Sequence, residues 1–201
     1  MTIWIATANQ HKKRELADIL LPHTIRTPDE AGIGFDPEET GATFLENAMI
    51  KARALYSLVH APVIADDSGL CVDFLQGRPG VLSARYGSKN GRKLDAADRN
   101  ALLLKEVGES ENRSAHFVCA MVLYFSPNRF YVVQETMDGE LIHGERGKGG
   151  FGYDPILYLP AKGKTVAELS DVEKNLISHR GKAGKAIREL LRLSEVTPLS
   201  I

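Results

Sequence analysis

The sequence predicts an α/β protein built on a mixed β-sheet, and three observations carry that expectation. Short apolar runs alternate with helix-period segments in the first half of the chain. Long runs rich in β-formers follow one another in the second half, which favours a mixed rather than an all-parallel sheet. No repeat, low-complexity segment or linker divides the 201 residues, so residues 1–201 are expected to form a single two-lobed domain.

Each element has a local reason. Ile3-Trp4-Ile5-Ala6 is a short apolar run, hence a buried strand, and Lys12–Leu21 carries Leu16, Ile19 and Leu20 at helical spacing. Thr27–Thr40, with two prolines and two glycines, reads as irregular chain. Thr43 and Glu46 form a capping box that opens a helix striped by Phe44, Ala48, Ala52, Leu55 and Val59. Pro62–Ala65 is a second buried strand that ends at Asp66, and Leu70–Leu75 is a third, closed by Gly77-Arg78-Pro79-Gly80. Leu94–Val107 is helical. His116–Phe125 and Phe130–Met137 read as a hairpin, and Asp138-Gly139 turns the chain into Glu140–His143. Ser170 and Glu173 make a second capping box, opening a helical pattern that reaches about Leu193.

The bulk composition excludes more than it assigns. Hydrophobic content of 43% and charged content of 25% are ordinary for a globular chain. A net charge of −1 gives no field for nucleic acid or a membrane surface, so an anionic ligand must be met by local cations and amides. Cys71 and Cys119 lie in apolar runs and read as free thiols, which suits a reducing compartment. No apolar stretch is long enough to span a bilayer, and Met1–Lys12 lacks the order of a signal peptide; a cytoplasmic protein is expected.

Four clusters can carry chemistry. Thr7-Ala8-Asn9-Gln10-His11-Lys12 joins a strand to a helix N-terminus, where free amides and the helix dipole suit phosphate and Lys12 adds a full charge. Glu38-Glu39 and Asp66-Asp67 offer hard oxygen ligands of the kind Mg²⁺ takes alongside substrate phosphates, and Ser68 follows directly. Gly149-Gly150-Phe151-Gly152-Tyr153-Asp154-Pro155 places two aromatics and a carboxylate among glycines that permit positive φ and close backbone approach. Lys174, His179 and Arg180 come last. On a straight helix the latter two would lie roughly 140° and 240° around the axis from Lys174, so one ligand reaches all three only if the helix bends or ends.

Together these segments resemble the inosine triphosphate/xanthosine triphosphate pyrophosphatase family. The resemblance runs nearly end to end, through Thr7-Ala8-Asn9…Lys12, Glu38-Glu39-Thr40-Gly41, Phe44…Glu46-Asn47-Ala48…Lys51-Ala52, Ala65–Leu70, Pro79-Gly80…Ser83–Tyr86, Gly149–Pro155 and Glu173-Lys174…Ser178-His179-Arg180. It implies an elongated mixed sheet with flanking helices, two lobes around a central cleft, and a homodimer. It also implies Mg²⁺-dependent hydrolysis of non-standard purine nucleoside triphosphates (ITP, dITP, XTP) to monophosphate and pyrophosphate. Matched residue by residue, Thr7, Asn9 and Lys12 hold phosphates within the Thr7–Lys12 loop. Asp67 is general base and metal ligand, and Ser68 touches substrate. Glu38 is the favoured second metal ligand, with Glu39 the alternative. Phe151, Gly152, Tyr153, Asp154, Lys174, His179 and Arg180 complete the nucleotide pocket.

The family pattern has glycine where this chain has Ala8, which would cost about 1 kcal/mol if the position demanded positive φ. Two rival readings remain: a nucleotide sensor without chemistry, and a phosphatase that releases orthophosphate through Asp66 or Asp67. A P-loop enzyme is excluded, because no Gly-x-x-x-x-Gly-Lys-Ser/Thr run occurs.

Overall fold

A computed structural model describes residues 1–89 and 92–196. Twelve principal elements follow in chain order: β1 (Thr2–Ile5), α1 (Gln10–Ile19), β2 (Thr24–Arg26), α2 (Phe44–Val59), β3 (Val63–Val72), α3 (Ala96–Val107), β4 (Ser114–Ser126), β5 (Arg129–Leu141), β6 (Leu157–Leu159), β7 (Lys164–Thr165), α4 (Asp171–Ile177) and α5 (His179–Val196). The seven strands form one mixed sheet in the order β2-β1-β3-β4-β5-β6-β7. β1 runs parallel to both β2 and β3, whereas β5, β6 and β7 pair antiparallel, so the expected α/β fold with a mixed sheet is the one observed.

The chain divides into two compact units. The first comprises residues 1–67, 119–135 and the segment from 179 onward; the second comprises 68–118 and 136–178. The first unit has two apolar clusters, one on each side of its strands. Ile3, Ile5 and Ile64 pack with Leu16 of α1, Leu20 just after it and Ile187 of α5. Ala6, Val63 and Ala65 pack with Ala48, Ala52 and Leu55 of α2. Alternate strand residues thus meet helices on opposite faces, as a period of two requires. The second unit is built round Leu70, Val72, Leu103, Phe117, Met137 and Ile156.

Both capping boxes form as the sequence predicts, at Thr43/Glu46 and Ser170/Glu173. Three expectations are corrected. Pro62–Ala65 and Leu70–Leu75 are not two strands: β3 runs unbroken from Val63 to Val72 and carries Asp66 and Asp67 at its middle, not its end. Buried acids are tolerated there because each has cationic partners, described below. Second, Asp138-Gly139 makes no turn; antiparallel pairing of Glu140 with Tyr158 and Leu141 with Leu157 keeps β5 extended to Leu141. Third, the last helical stretch is broken at Ser178, whose backbone is extended (φ −69°, ψ 156°), so α4 ends at Ile177 and α5 starts at His179. Ser favours the position before a helix start, the signal that marks this break in the sequence.

Both cysteines are free thiols. Among the described residues no helix is long and apolar enough to cross a membrane.

Candidate active site

The first unit gathers the Thr7–Lys12 loop and the carboxylate residues. Asn9 caps α1, its side-chain oxygen accepting from the amides of His11 (2.9 Å) and Lys12 (3.2 Å), while its own amide donates to Thr7 Oγ1 at 3.1 Å. This is a tightly drawn loop at the positive end of a helix. Ala8 sits in it without strain: among the described residues only His60 and Gln76 are non-glycine residues with positive φ. The cost attached to the missing glycine therefore does not arise. Gln10 and His11 are exposed, and Gln10 reaches Asp29 at 3.4 Å.

The neighbouring acids Asp66 and Asp67 point to opposite faces of β3, and their surroundings drive them apart. Asp66 is fully buried. Its Oδ2 meets Lys12 Nζ at 2.9 Å and the Arg180 guanidinium at 3.3 Å, with Cys119 Sγ 4.0 Å away. Burial alone would raise its pKa, but Lys12, Arg180 and Lys51 outweigh that and hold the carboxyl well below the usual range. Asp67 shifts the other way. Burial pushes it up and Glu39 adds to the rise, against the opposing pull of Lys51 and Lys12. Asp66 is thus a fixed anion, and Asp67 is the readier proton acceptor.

Asp67 is held from α2. Lys51 Nζ lies 3.2 Å from its Oδ1, and the Asn47 amide donates to its Oδ2 at 3.2 Å. Asn47 in turn accepts from the Gly41 amide at 2.8 Å, tying the preceding loop to the same point. Lys51 is kept charged despite burial, because Asp67, Asp66 and Glu39 surround it. Neither Asn47 nor Lys51 was singled out for a role by sequence reasoning. The signal exists: they stand four residues apart, one polar row on a helix face otherwise lined by alanine and leucine.

Of the Glu38-Glu39 pair, it is Glu39 that reaches this cluster, 2.8 Å from Lys51 Nζ; Glu38 is exposed. The preference for Glu38 is therefore not carried by the geometry. Among the described residues no three His, Cys, Asp or Glu side chains converge as a metal-binding group. What does converge is a pair of carboxylates, Glu39 and Asp67, on one ammonium. A hard divalent cation that takes one or two carboxylates and fills its remaining positions with phosphate oxygens and water fits such a donor set.

Arg180 is among the most deeply buried side chains of the protein. Beyond Asp66, its guanidinium meets Glu15 of α1 at 2.7 Å. Burial disfavours its charge, but Asp66 and Glu15 more than compensate, and its pKa lies above the ordinary arginine value. His179 beside it is also buried.

In the second unit, Ser68 follows on β3, half-buried. The glycine-rich loop is organised by Asp154. Its Oδ2 accepts from the Phe151 amide at 2.7 Å and from Lys174 Nζ at 2.8 Å. Gly150 has φ +69°, and any Cβ there would collide with Asp154 Oδ2, so only glycine fits. Lys174 Nζ also lies 4.5 Å from the centre of the Phe151 ring, a cation–π contact that backs one face of the half-exposed aromatic. Tyr153 is not a second platform: it is buried in the core, with its hydroxyl donating to Ser83 O at 2.9 Å. The break at Ser178 leaves Lys174 in this set and His179 and Arg180 in the first.

An α/β scaffold with two acids of opposed acidity on one interior strand, one of them paired with a lysine from the start of a capped helix, is a site suited to a hydrolase. The chain belongs to the Ham1 family, which matches residues 3–190. A dITP/XTP pyrophosphatase of Treponema denticola is 53% identical over 192 residues, covering 96% of this chain and 99% of that protein. The dITP/XTP pyrophosphatase of Streptomyces coelicolor is 46% identical over 197 residues, covering 93% and 97%. Among solved structures, the Ham1 protein of Staphylococcus aureus superposes with a TM-score of 0.86 at 39% identity, covering 96% of this chain and all of that one. That of Coxiella burnetii gives 0.87 at 38% identity, covering 96% and 99%.

Proposed function

We propose that this protein hydrolyses dITP, ITP and XTP to the corresponding monophosphate and pyrophosphate, clearing non-standard purines from the nucleotide pool. Membership of the Ham1 family and the names of its relatives support the substrate class. The observation that carries the chemistry is the divergence of two adjacent carboxyls on β3. Neighbouring acids whose environments push their pKa values apart take different roles. Asp66 serves as a permanent anion that holds Lys12 in place. Asp67 serves as general base: it takes a proton from water as the water oxygen bonds to the α-phosphorus and the bond to the pyrophosphate oxygen breaks.

Lys12, Thr7 and Asn9 are the phosphate-holding residues in this reading, at the N-terminus of α1. Lys51 and Asn47 fix the Asp67 carboxylate in one orientation, which keeps its basic oxygen aimed. Glu39 and Asp67 would hold Mg²⁺, which when bound neutralises phosphate charge. Phe151, held on its ring by Lys174, is the aromatic that would stack on the purine ring. Hypoxanthine and xanthine share a 6-oxo acceptor and a protonated N1; adenine reverses both. A site that supplies a donor to O6 leaves ATP facing donor against donor, a mismatch worth about 10⁴ in kcat/KM.

Product analysis with ITP, XTP, GTP and ATP, with Mg²⁺ and with chelator, tests the proposal. Monophosphate and pyrophosphate from ITP and XTP, little product from GTP or ATP, and none with chelator are expected. Orthophosphate would instead assign the carboxylates to a terminal phosphate, and binding without product would make the protein a sensor.

A further inference from the structure

We propose that Asn100 is a positioning residue for the nucleotide reaction: from α3 it holds the glycine loop that carries Phe151 and so fixes the stacking ring. The inference rests on the reading of Phe151 as the base platform. Asn100 is 1% exposed, and its side-chain nitrogen donates to Gly152 O at 3.1 Å and to Glu145 Oε1 at 2.7 Å. Both partners are acceptors, so the amide can stand only one way round. That leaves its Oδ1 buried with no hydrogen-bond partner.

A residue without donors at this position would leave Gly152 O and Glu145 Oε1 without the hydrogen bonds that Asn100 gives them. The two donors are therefore what the position requires. One of the two targets, Gly152 O, belongs to the residue directly after Phe151. Gly152 has φ +63° and Gly150 has φ +69°, so the aromatic hangs between two hinges of the most permissive residue type. Asp154 and Lys174 hold Phe151 by its amide and its ring. Asn100 holds the following carbonyl, and Tyr153 beyond it is anchored on Ser83. With the Asn100 bond removed, the hinge at Gly152 is free to tilt the ring.

The test compares wild type with Asn100→Leu, Asn100→Ser and Phe151→Leu. It measures ITP kinetics, inhibition by inosine monophosphate, inhibition by inorganic pyrophosphate, and the thermal midpoint. Both Asn100 variants are expected to raise KM and the inosine monophosphate inhibition constant about tenfold, as small misplacements of positioning groups do. Pyrophosphate inhibition should stay unchanged, and any fall in the thermal midpoint should be small and unrelated in size to the change in KM. A general structural role predicts instead that inhibition by both ligands weakens together, in step with a lowered midpoint. If Phe151→Leu weakens inosine monophosphate inhibition while neither Asn100 variant does, the inference is wrong and the platform stands. If Phe151→Leu changes nothing, the platform itself is wrong and the inference goes with it. Should the Leu variant not fold, the Ser variant decides.

Discussion

Asp67→Asn is expected to lower kcat by about 10³-fold, the scale on which a positioned general base acts, while KM changes by no more than about threefold. The substitution keeps shape and hydrogen-bonding capacity but removes the atom that accepts the proton. Lys51 and Asn47 remain to hold the amide, and Lys12 remains on Asp66, so the phosphate loop keeps its anchor. Steady-state kinetics with ITP measure it. A kcat within about tenfold of wild type, some 1.4 kcal/mol, would remove Asp67 from the base role.

Arg180→Met is expected to destabilise the protein by about 3 kcal/mol, because it removes a buried guanidinium that two carboxylates share. Asp66 would keep Lys12, but Glu15 would lose its 2.7 Å contact. Urea denaturation reads the loss directly. A midpoint near that of wild type would show that Glu15 and Asp66 have other adequate partners. The resemblance places Arg180 in the nucleotide pocket, yet its guanidinium is committed to α1 and β3.

Much of this was legible in the sequence where the signal is local. The capping boxes at Thr43/Glu46 and Ser170/Glu173 depend on residues three apart, and both form. Periodicity located β1, α1, α2 and α3 to within a few residues. The misreadings share one cause: the deciding partner lies far away in sequence. Asp66-Asp67 reads as a strand end because isolated acids avoid the middle of a buried strand. Only Arg180, 114 residues on, together with Lys12 and Lys51, makes the middle tolerable. Asp138-Gly139 reads as a turn until β6 pairs beside it. The three-residue β2 and β6 and the two-residue β7 are too short to show a period at all.

The site divides the same way. Residue types named the phosphate loop, the paired acids and the aromatic loop, but not which neighbour does what. Glu39 rather than Glu38 reaches Lys51 through the path of an irregular loop that no spacing rule describes. Tyr153 shares a motif with Phe151, yet its side chain enters the core. Asn100 lies on a helix 45 residues before Glu145, its side-chain partner, and has no motif around it.

Pyrophosphate release by the proposed mechanism requires water to attack the α-phosphorus. Hydrolysis of ITP in ¹⁸O-water tests it most directly. One ¹⁸O atom is expected in the monophosphate and none in the pyrophosphate. Label in the pyrophosphate would place the attack on the β-phosphorus and contradict it.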